Sequence, residues 1–199
     1  MNFLVIGGFL GSGKTSFLLQ LARYMVEKRG IKKVVLLENE VGEVGVDDKV
    51  LKGAGYQVKN MFAGCVCCTL SGSLPLTIQE IQAHLNPDWI IMETTGMAFP
   101  LEIKKNLLNS IEQPSKICCL VDARRWLRLV AHLDNILQHQ LEEAAIILIN
   151  KSDLVDAKTL EDVRASISSF NPDATCHAVS STSGIAPEIL EQILGGEPI

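Results

Sequence analysis

The apolar run Asn2–Gly7 empties into Gly8-Phe9-Leu10-Gly11-Ser12-Gly13-Lys14-Thr15 and continues as a helix-like stretch, Lys14–Glu27. The eight residues fit GxxxxGK(S/T), a pattern that requires a strand before it and a helix after it, and both are expected here. Phosphate oxygens must meet several backbone N–H groups at once, which side chains at Gly8, Gly11 and Gly13 would obstruct. The helix start adds its partial positive charge. Lys14 is placed to reach the β- and γ-phosphates, and the Thr15 hydroxyl to take one position in an octahedral Mg²⁺ shell. Ser12 and Ser16 stand in the same turn as further binding residues.

A loop of this kind needs a sheet behind it, and the remaining sequence supplies one. Buried-strand runs recur at Asn2–Gly7, Val34–Leu37, Trp89–Met92, Lys116–Val121, Ala145–Ile149 and Cys176–Val179. Helix-like stretches lie between most of them: Lys14–Glu27, Leu74–His84, Leu101–Ser110, Leu133–Glu143, Leu160–Phe170 and Pro187–Leu194. The alternation predicts an α/β, three-layer P-loop NTPase fold with a mainly parallel sheet and helices on both faces. Asp47–Asn60 interrupts it, with Tyr56–Val58 short and flanked by Gly53 and Gly55, and reads as an excursion carrying an edge hairpin. A chain of 199 residues buries one sizeable core, so a single domain over 1–199 is expected, with 195–199 a frayed tail.

Charge and hydropathy narrow the partners. A net charge of -5 offers no broad basic surface, so nucleic acid is not an expected partner, although one pocket can still hold phosphates. No apolar run reaches bilayer length, and the apolar start opens into a glycine loop rather than a signal-peptide cleavage site. The reading is a cytoplasmic protein with no membrane contact.

Two further motifs lie at expected strand ends. Asn150-Lys151-Ser152-Asp153 follows Ala145–Ile149, at the carboxyl edge where open parallel sheets place ligands. A carboxylate only accepts hydrogen bonds, so Asp153 suits the N1–H and exocyclic amine of guanine and rejects adenine. Asn150 would hold loop and base, the Lys151 stem would cover a ring face, and the Ser180–Gly184 loop, Ser181 included, would offer a backbone N–H to guanine O6. Glu93-Thr94-Thr95-Gly96 ends an apolar strand as a Walker B acid and γ-phosphate-sensing loop do; Glu93 then acts on Mg²⁺ or orients the attacking water, or else simply caps the next helix. Asp122 invites the same alternatives, and there the cap is favoured.

Cys65, Cys67 and Cys68 crowd together after Gly64, too close for ordinary disulfide pairing, and in a reducing compartment read as metal ligands or as redox thiols. Thiolates suit borderline-soft ions, and three of them leave a position open for transfer. On an extended segment Cys65 and Cys67 face one side and Cys68 the other, so further ligands are needed. Cys118, Cys119 and Cys176 sit in apolar strands and read as core, and the four histidines form no metal-spaced pair.

In their order, GGFLGSGKTS, ENEVGEVGVD, GCVCC, ETTG and NKSD resemble the CobW-type P-loop GTPases of the CobW/HypB/UreG nucleotide-binding family, relatives of the nickel-handling accessory GTPases of urease and hydrogenase maturation. The resemblance covers nearly the whole chain, and GCVCC is its most specific part. It implies GTP and Mg²⁺ as ligands, slow GTP hydrolysis, and coupling of the nucleotide switch to Zn²⁺, Co²⁺ or Ni²⁺ delivered to a client metalloenzyme or corrinoid protein. It makes Cys65, Cys67 and Cys68 candidate ligands and ENEVGEVGVD the first switch, with Glu43 set for Mg²⁺ or water and Glu38 for the transition metal. A homodimer would complete the metal's coordination, though no sequence feature requires one. Many family members carry a C-terminal domain and often a histidine-rich tract; this sequence reads as a short form, and nothing attributed to that domain is carried over. A GTP-dependent regulator or metal sensor that docks a client with little hydrolysis is the alternative from the binding class. A small-molecule kinase is disfavoured by NKSD.

Overall fold

The computed structural model describes residues 1–38, 57–60 and 73–195. Seven strands form one sheet: β1 Asn2–Gly7, β2 Val34–Glu38, β3 Gln57–Asn60, β4 Trp89–Glu93, β5 Lys116–Asp122, β6 Ile146–Asn150 and β7 Thr175–Ala178. Among the described residues, six α-helices accompany them: α1 Lys14–Glu27, α2 Ser73–Leu85, α3 Pro100–Ile111, α4 Trp126–Leu141, α5 Ala157–Phe170 and α6 Pro187–Leu194. The strand order is β3-β2-β4-β1-β5-β6-β7, and every pairing between these strands is parallel.

Strand residues alternate between two cores, as the period of two dictates. Phe3 and Val5 of β1 join Ile90 and Met92 of β4 beneath α2, α3, α4 and α5. Leu4 and Ile6 join Ile91 and Leu120 beneath α1 and α6. Because both faces are covered, the strands show continuous apolar runs rather than alternation in sequence, the expected signature of a buried parallel sheet. Phe17, Leu18, Leu21 and Met25 of α1 are fully buried at helical spacing, and each contributes about 1.5–3 kcal/mol by leaving water.

The structure corrects three expectations. The described strand at the first edge, β3, pairs parallel to β2 (Val35 opposite Gln57, Glu38 opposite Asn60), so a crossover, not a hairpin, brings it to the sheet. Helix α4 begins at Trp126 rather than Leu133, and Leu133 is instead a kink inside it (φ -136°, ψ 27°). Gly195 is not frayed: it closes α6 in the left-handed conformation (φ 73°), donating its N–H to Gln192 O.

Candidate nucleotide site

Five strands end in a polar residue at the same carboxyl edge: Asn60 on β3 and, each after an apolar run, Glu38 on β2, Glu93 on β4, Asp122 on β5 and Asn150 on β6. In the structure each is the last residue of its ladder. The phosphate loop leaves β1 between β4 and β5, central to this edge.

Its geometry explains its glycines. Gly8 and Gly13 sit at φ 133° and 101°, and a Cβ at Gly13 would collide with Asn150 Nδ2. Lys14, 7% exposed, folds over the loop and donates to Gly8 O (3.0 Å) and Phe9 O (3.4 Å). Thr15 Oγ1 donates to Glu93 Oε1 at 2.9 Å, joining the two positions expected to share a Mg²⁺ ion. Ser16 is exposed on the first turn of α1. The Glu93-Thr94-Thr95-Gly96 loop touches the phosphate loop directly: a Cβ on Gly96 would run into Leu10.

The Asn150-Lys151-Ser152-Asp153 segment is built onto the same loop. Asn150, 2% exposed, donates from Nδ2 to Ser12 O (2.8 Å) and accepts the Ser181 N–H on Oδ1 (2.8 Å). Lys151, in the left-handed region (φ 60°), stretches Nζ to Gly11 O (2.6 Å) and to Asp122 Oδ2 (2.7 Å). Asp153 is exposed in the 3-10 turn Ser152–Leu154 that follows. The Ser181 N–H, expected from the sequence to be open to a ligand, is taken by Asn150.

Ser12 Oγ and Ser181 Oγ are buried without a hydrogen-bond partner among the described residues. Orphaned buried hydroxyls are costly, and these two flank Gly13, so a polar ligand in the loop would satisfy them. Ser181 Oγ lies 3.9 Å from where a Gly13 Cβ would stand.

Asp122 and several residues the motifs did not reveal complete the site. Asp122 does more than cap: Oδ1 accepts the Arg124 N–H (3.0 Å) while Oδ2 holds Lys151. Gln140, buried on α4, donates to Gly96 O at 2.8 Å and pins the sensing loop. Gln20 on α1 donates to Ser181 O. Arg125 Nη1 donates to Leu10 O at 3.0 Å. Gln140, Gln20 and Arg125 have no sequence signal, because each acts through a backbone carbonyl supplied by a distant segment.

Of the three thiols read as core, Cys176 is only partly buried, packed against the core from the edge strand β7. Cys118 and Cys119 are buried, and burial raises both; Cys119 is pushed up to about 12 despite the opposing pull of Lys14. No cluster of three metal-binding side chains occurs among the described residues, and His139 and His177 are occupied with Asn135 O and Gln192 Oε1. Glu43, Cys65, Cys67 and Cys68 lie outside the described residues, as does the Glu38 side chain. No helix among the described residues is long and apolar enough to cross a membrane.

A glycine loop between a central parallel strand and a helix, faced by an acid-ended strand and an Asn-Lys-Ser-Asp turn, defines a P-loop NTPase domain. The model of the CobW/HypB/UreG nucleotide-binding domain matches residues 2–178, and the chain belongs to that family. It is 30% identical to the zinc chaperone CobW of Sinorhizobium sp over 83% of this chain and 54% of that protein. It is 33% identical to the zinc chaperone YeiR of Escherichia coli (strain K12) over 75% of this chain and 46% of that one. The chain thus spans about half the length of these curated relatives. Among solved structures it resembles the hydrogenase maturation factor HypB from Archaeoglobus fulgidus (TM-score 0.70, 19% identity, 98% of this chain and 89% of that one). It also resembles the Zn(II)-bound YjiA GTPase from E. coli (TM-score 0.68, 23% identity, 98% and 62%). At these identities the structural likeness speaks for the fold alone.

Proposed function

We propose that this chain binds and slowly hydrolyses GTP and couples that switch to a transition metal, as a metallochaperone or metallocentre-assembly factor. The observation that carries the nucleotide half is the convergence of Lys14, Thr15–Glu93, Asn150 and Lys151 on one loop, where the buried hydroxyls of Ser12 and of the neighbouring Ser181 lack partners among the described residues. Backbone N–H groups of the loop bind phosphate oxygens, and Lys14 exchanges its carbonyl partners for the β- and γ-phosphates. Thr15 and Glu93 offer the hard oxygen donors that suit Mg²⁺, which takes only one or two protein oxygens and supplies charge neutralisation on the phosphates. Asp153 accepts from guanine, the Lys151 stem lies along the base, and Ser16 borders the phosphates from the helix start.

The metal half rests on the family and on placement. CobW of Sinorhizobium sp and YeiR of E. coli are called zinc chaperones, and β2 and β3 deliver the chain into 39–56 and 61–72 from the edge that carries Glu93. Zinc, cobalt or nickel is then cargo, held by Cys65, Cys67 and Cys68 with Glu38, while Glu43 in the first switch responds to the γ-phosphate. A client metalloprotein in the cytoplasm, and a second copy sharing the metal, complete the reading.

The test is release of inorganic phosphate from GTP and ATP by the purified protein, with and without zinc, cobalt or nickel, and with Cys67→Ala as control. GTP-selective release that metal changes, and that the variant no longer modulates, is expected. Equal use of ATP would remove the base assignment; metal-blind GTP turnover would remove the coupling.

A further inference from the structure

Five consecutive carbonyls of the phosphate loop are each held by a side-chain donor. Lys14 Nζ holds Gly8 O and Phe9 O, Arg125 Nη1 holds Leu10 O (3.0 Å), Lys151 Nζ holds Gly11 O (2.6 Å) and Asn150 Nδ2 holds Ser12 O (2.8 Å). Lys14, Lys151 and Asn150 belong to the nucleotide motifs. Arg125 belongs to none; it lies in the turn between β5 and α4, 115 residues from Leu10.

A trans peptide is planar, so the N–H of one residue points opposite to the carbonyl of the residue before it. Anchoring Leu10 O on the guanidinium therefore turns the Gly11 N–H away from Arg125. The same group stands 3.1 Å from where a Gly11 Cβ would be, so it also packs over the Gly11 α-carbon and resists a flip of that peptide. Arg125 is itself held firmly. Its N–H donates to Asp122 O (3.0 Å), and the next residue, Trp126, is buried with its indole N–H on Ser166 Oγ (3.0 Å). No carboxylate among the described residues pairs with the guanidinium, so its positive charge is spent on the loop.

We propose that Arg125 is a positioning residue for phosphate binding, fixing the Leu10–Gly11 peptide so that the Gly11 amide faces the nucleotide. The proposal rests on the nucleotide reading above for its consequence, but not for its geometry. A planar guanidinium both donates to the carbonyl and lies flat on a glycine, which a compact ammonium does only in part.

The test uses the full chain with Arg125→Ala and Arg125→Lys, with the thermal midpoint as a folding control. In the alanine variant the Gly11 amide resonance shifts and its hydrogen exchange quickens. GDP binding weakens about tenfold and KM for GTP rises by a similar factor, the loss of one charge-assisted bond, while kcat stays within about threefold. Lysine, which keeps a donor for Leu10 O, recovers a substantial part of the binding. If the alanine chain does not fold, Arg125→Gln carries the same measurements, its amide donor giving an intermediate loss. An unmoved Gly11 resonance overturns the proposal. So does a kcat loss of about a hundredfold at unchanged KM without rescue by lysine, which would put the guanidinium on the reacting phosphate itself. The amide measurement needs no nucleotide: a wild-type chain that binds no guanine nucleotide would sink the functional reading while Arg125 was still decided.

Discussion

Asp153 occupies an exposed turn behind Asn150 and Lys151, which are both tied to the phosphate loop, and its carboxylate offers acceptors alone. Replacing it with asparagine substitutes one acceptor by a donor. Guanine, which presents an amine at that edge, then meets a donor, whereas xanthine presents a carbonyl there. Asp153→Asn is expected to weaken GTP about tenfold or more and to strengthen xanthosine triphosphate by a comparable factor, read by displacement of a fluorescent guanine nucleotide. Unchanged preference would remove Asp153 from the base site. The cysteines allow a second check. Burial raises Cys118 and Cys119, the latter to about 12, so at pH 8 their thiolate fraction is negligible. Iodoacetamide on native, metal-free protein is expected to label Cys65, Cys67 and Cys68 and to spare Cys118 and Cys119 until denaturant is added; early alkylation of Cys119 would contradict the buried assignment. The motif residues were legible because each pattern requires its residue types at fixed spacing. Arg125, Gln140 and Gln20 were not, because a side chain that reaches a carbonyl more than 40 residues away leaves no local pattern.

Helices α1 and α6 pack together on one face of the sheet, and a buried acid joins them. Glu191 of α6, 1% exposed, accepts the Tyr24 hydroxyl at 2.6 Å and pairs with Arg29 just beyond α1. Removing one member of a buried pair commonly costs about 3–5 kcal/mol, but Arg29 retains 29% of its side-chain exposure and can return to water. Glu191→Ala is therefore expected to cost about 2 kcal/mol, read from the urea midpoint. The same bond raises the Tyr24 phenol above its ordinary range, so the variant also returns its absorbance titration toward that range. An unmoved midpoint and titration together would show the contact to be idle. These two helices had the starts their sequences announce: Gly13 and Lys14 open α1, while Pro187 starts α6. Helix α4 did not: the kink at Leu133 divides it into two segments, and the expected helix covers only the second, although Trp126, Leu129 and Val130 of the first also pack on the core. The direction of β3 was also hidden, because glycine-flanked short runs look alike in a hairpin and at the end of a crossover; topology decides the pairing, and topology is not local.

At the scale of the whole molecule, the sheet order puts the strands that lead into the candidate metal segments at the edge that carries the phosphate loop. β4, which ends in Glu93, lies between β1, which feeds the phosphate loop, and β2, whose last residue Glu38 pairs with Asn60 of β3. Cys65 follows Asn60 by five positions, so the candidate thiols are tethered to the end of β3, two strands from β4. If the γ-phosphate biases the arrangement of these segments, thermodynamics demands that the metal bias nucleotide affinity by the same factor. Zinc dissociation constants are therefore to be measured with GDP and with a non-hydrolysable GTP analogue bound, and the nucleotide constants measured again with and without zinc. The two ratios are expected to agree, at about 5- to 150-fold, the usual span of such coupling. Cys67→Ala is expected to collapse the zinc dependence of nucleotide affinity while leaving zinc-free nucleotide binding intact, because Cys67 is assigned to the cargo alone. Ratios of one in both directions would leave a GTP site and a thiol site that share a chain without communicating. Unequal ratios would mean that the two titrations read different equilibria, such as a second copy joining only when zinc is present, and the metal arm repeated at several protein concentrations separates that case from simple coupling.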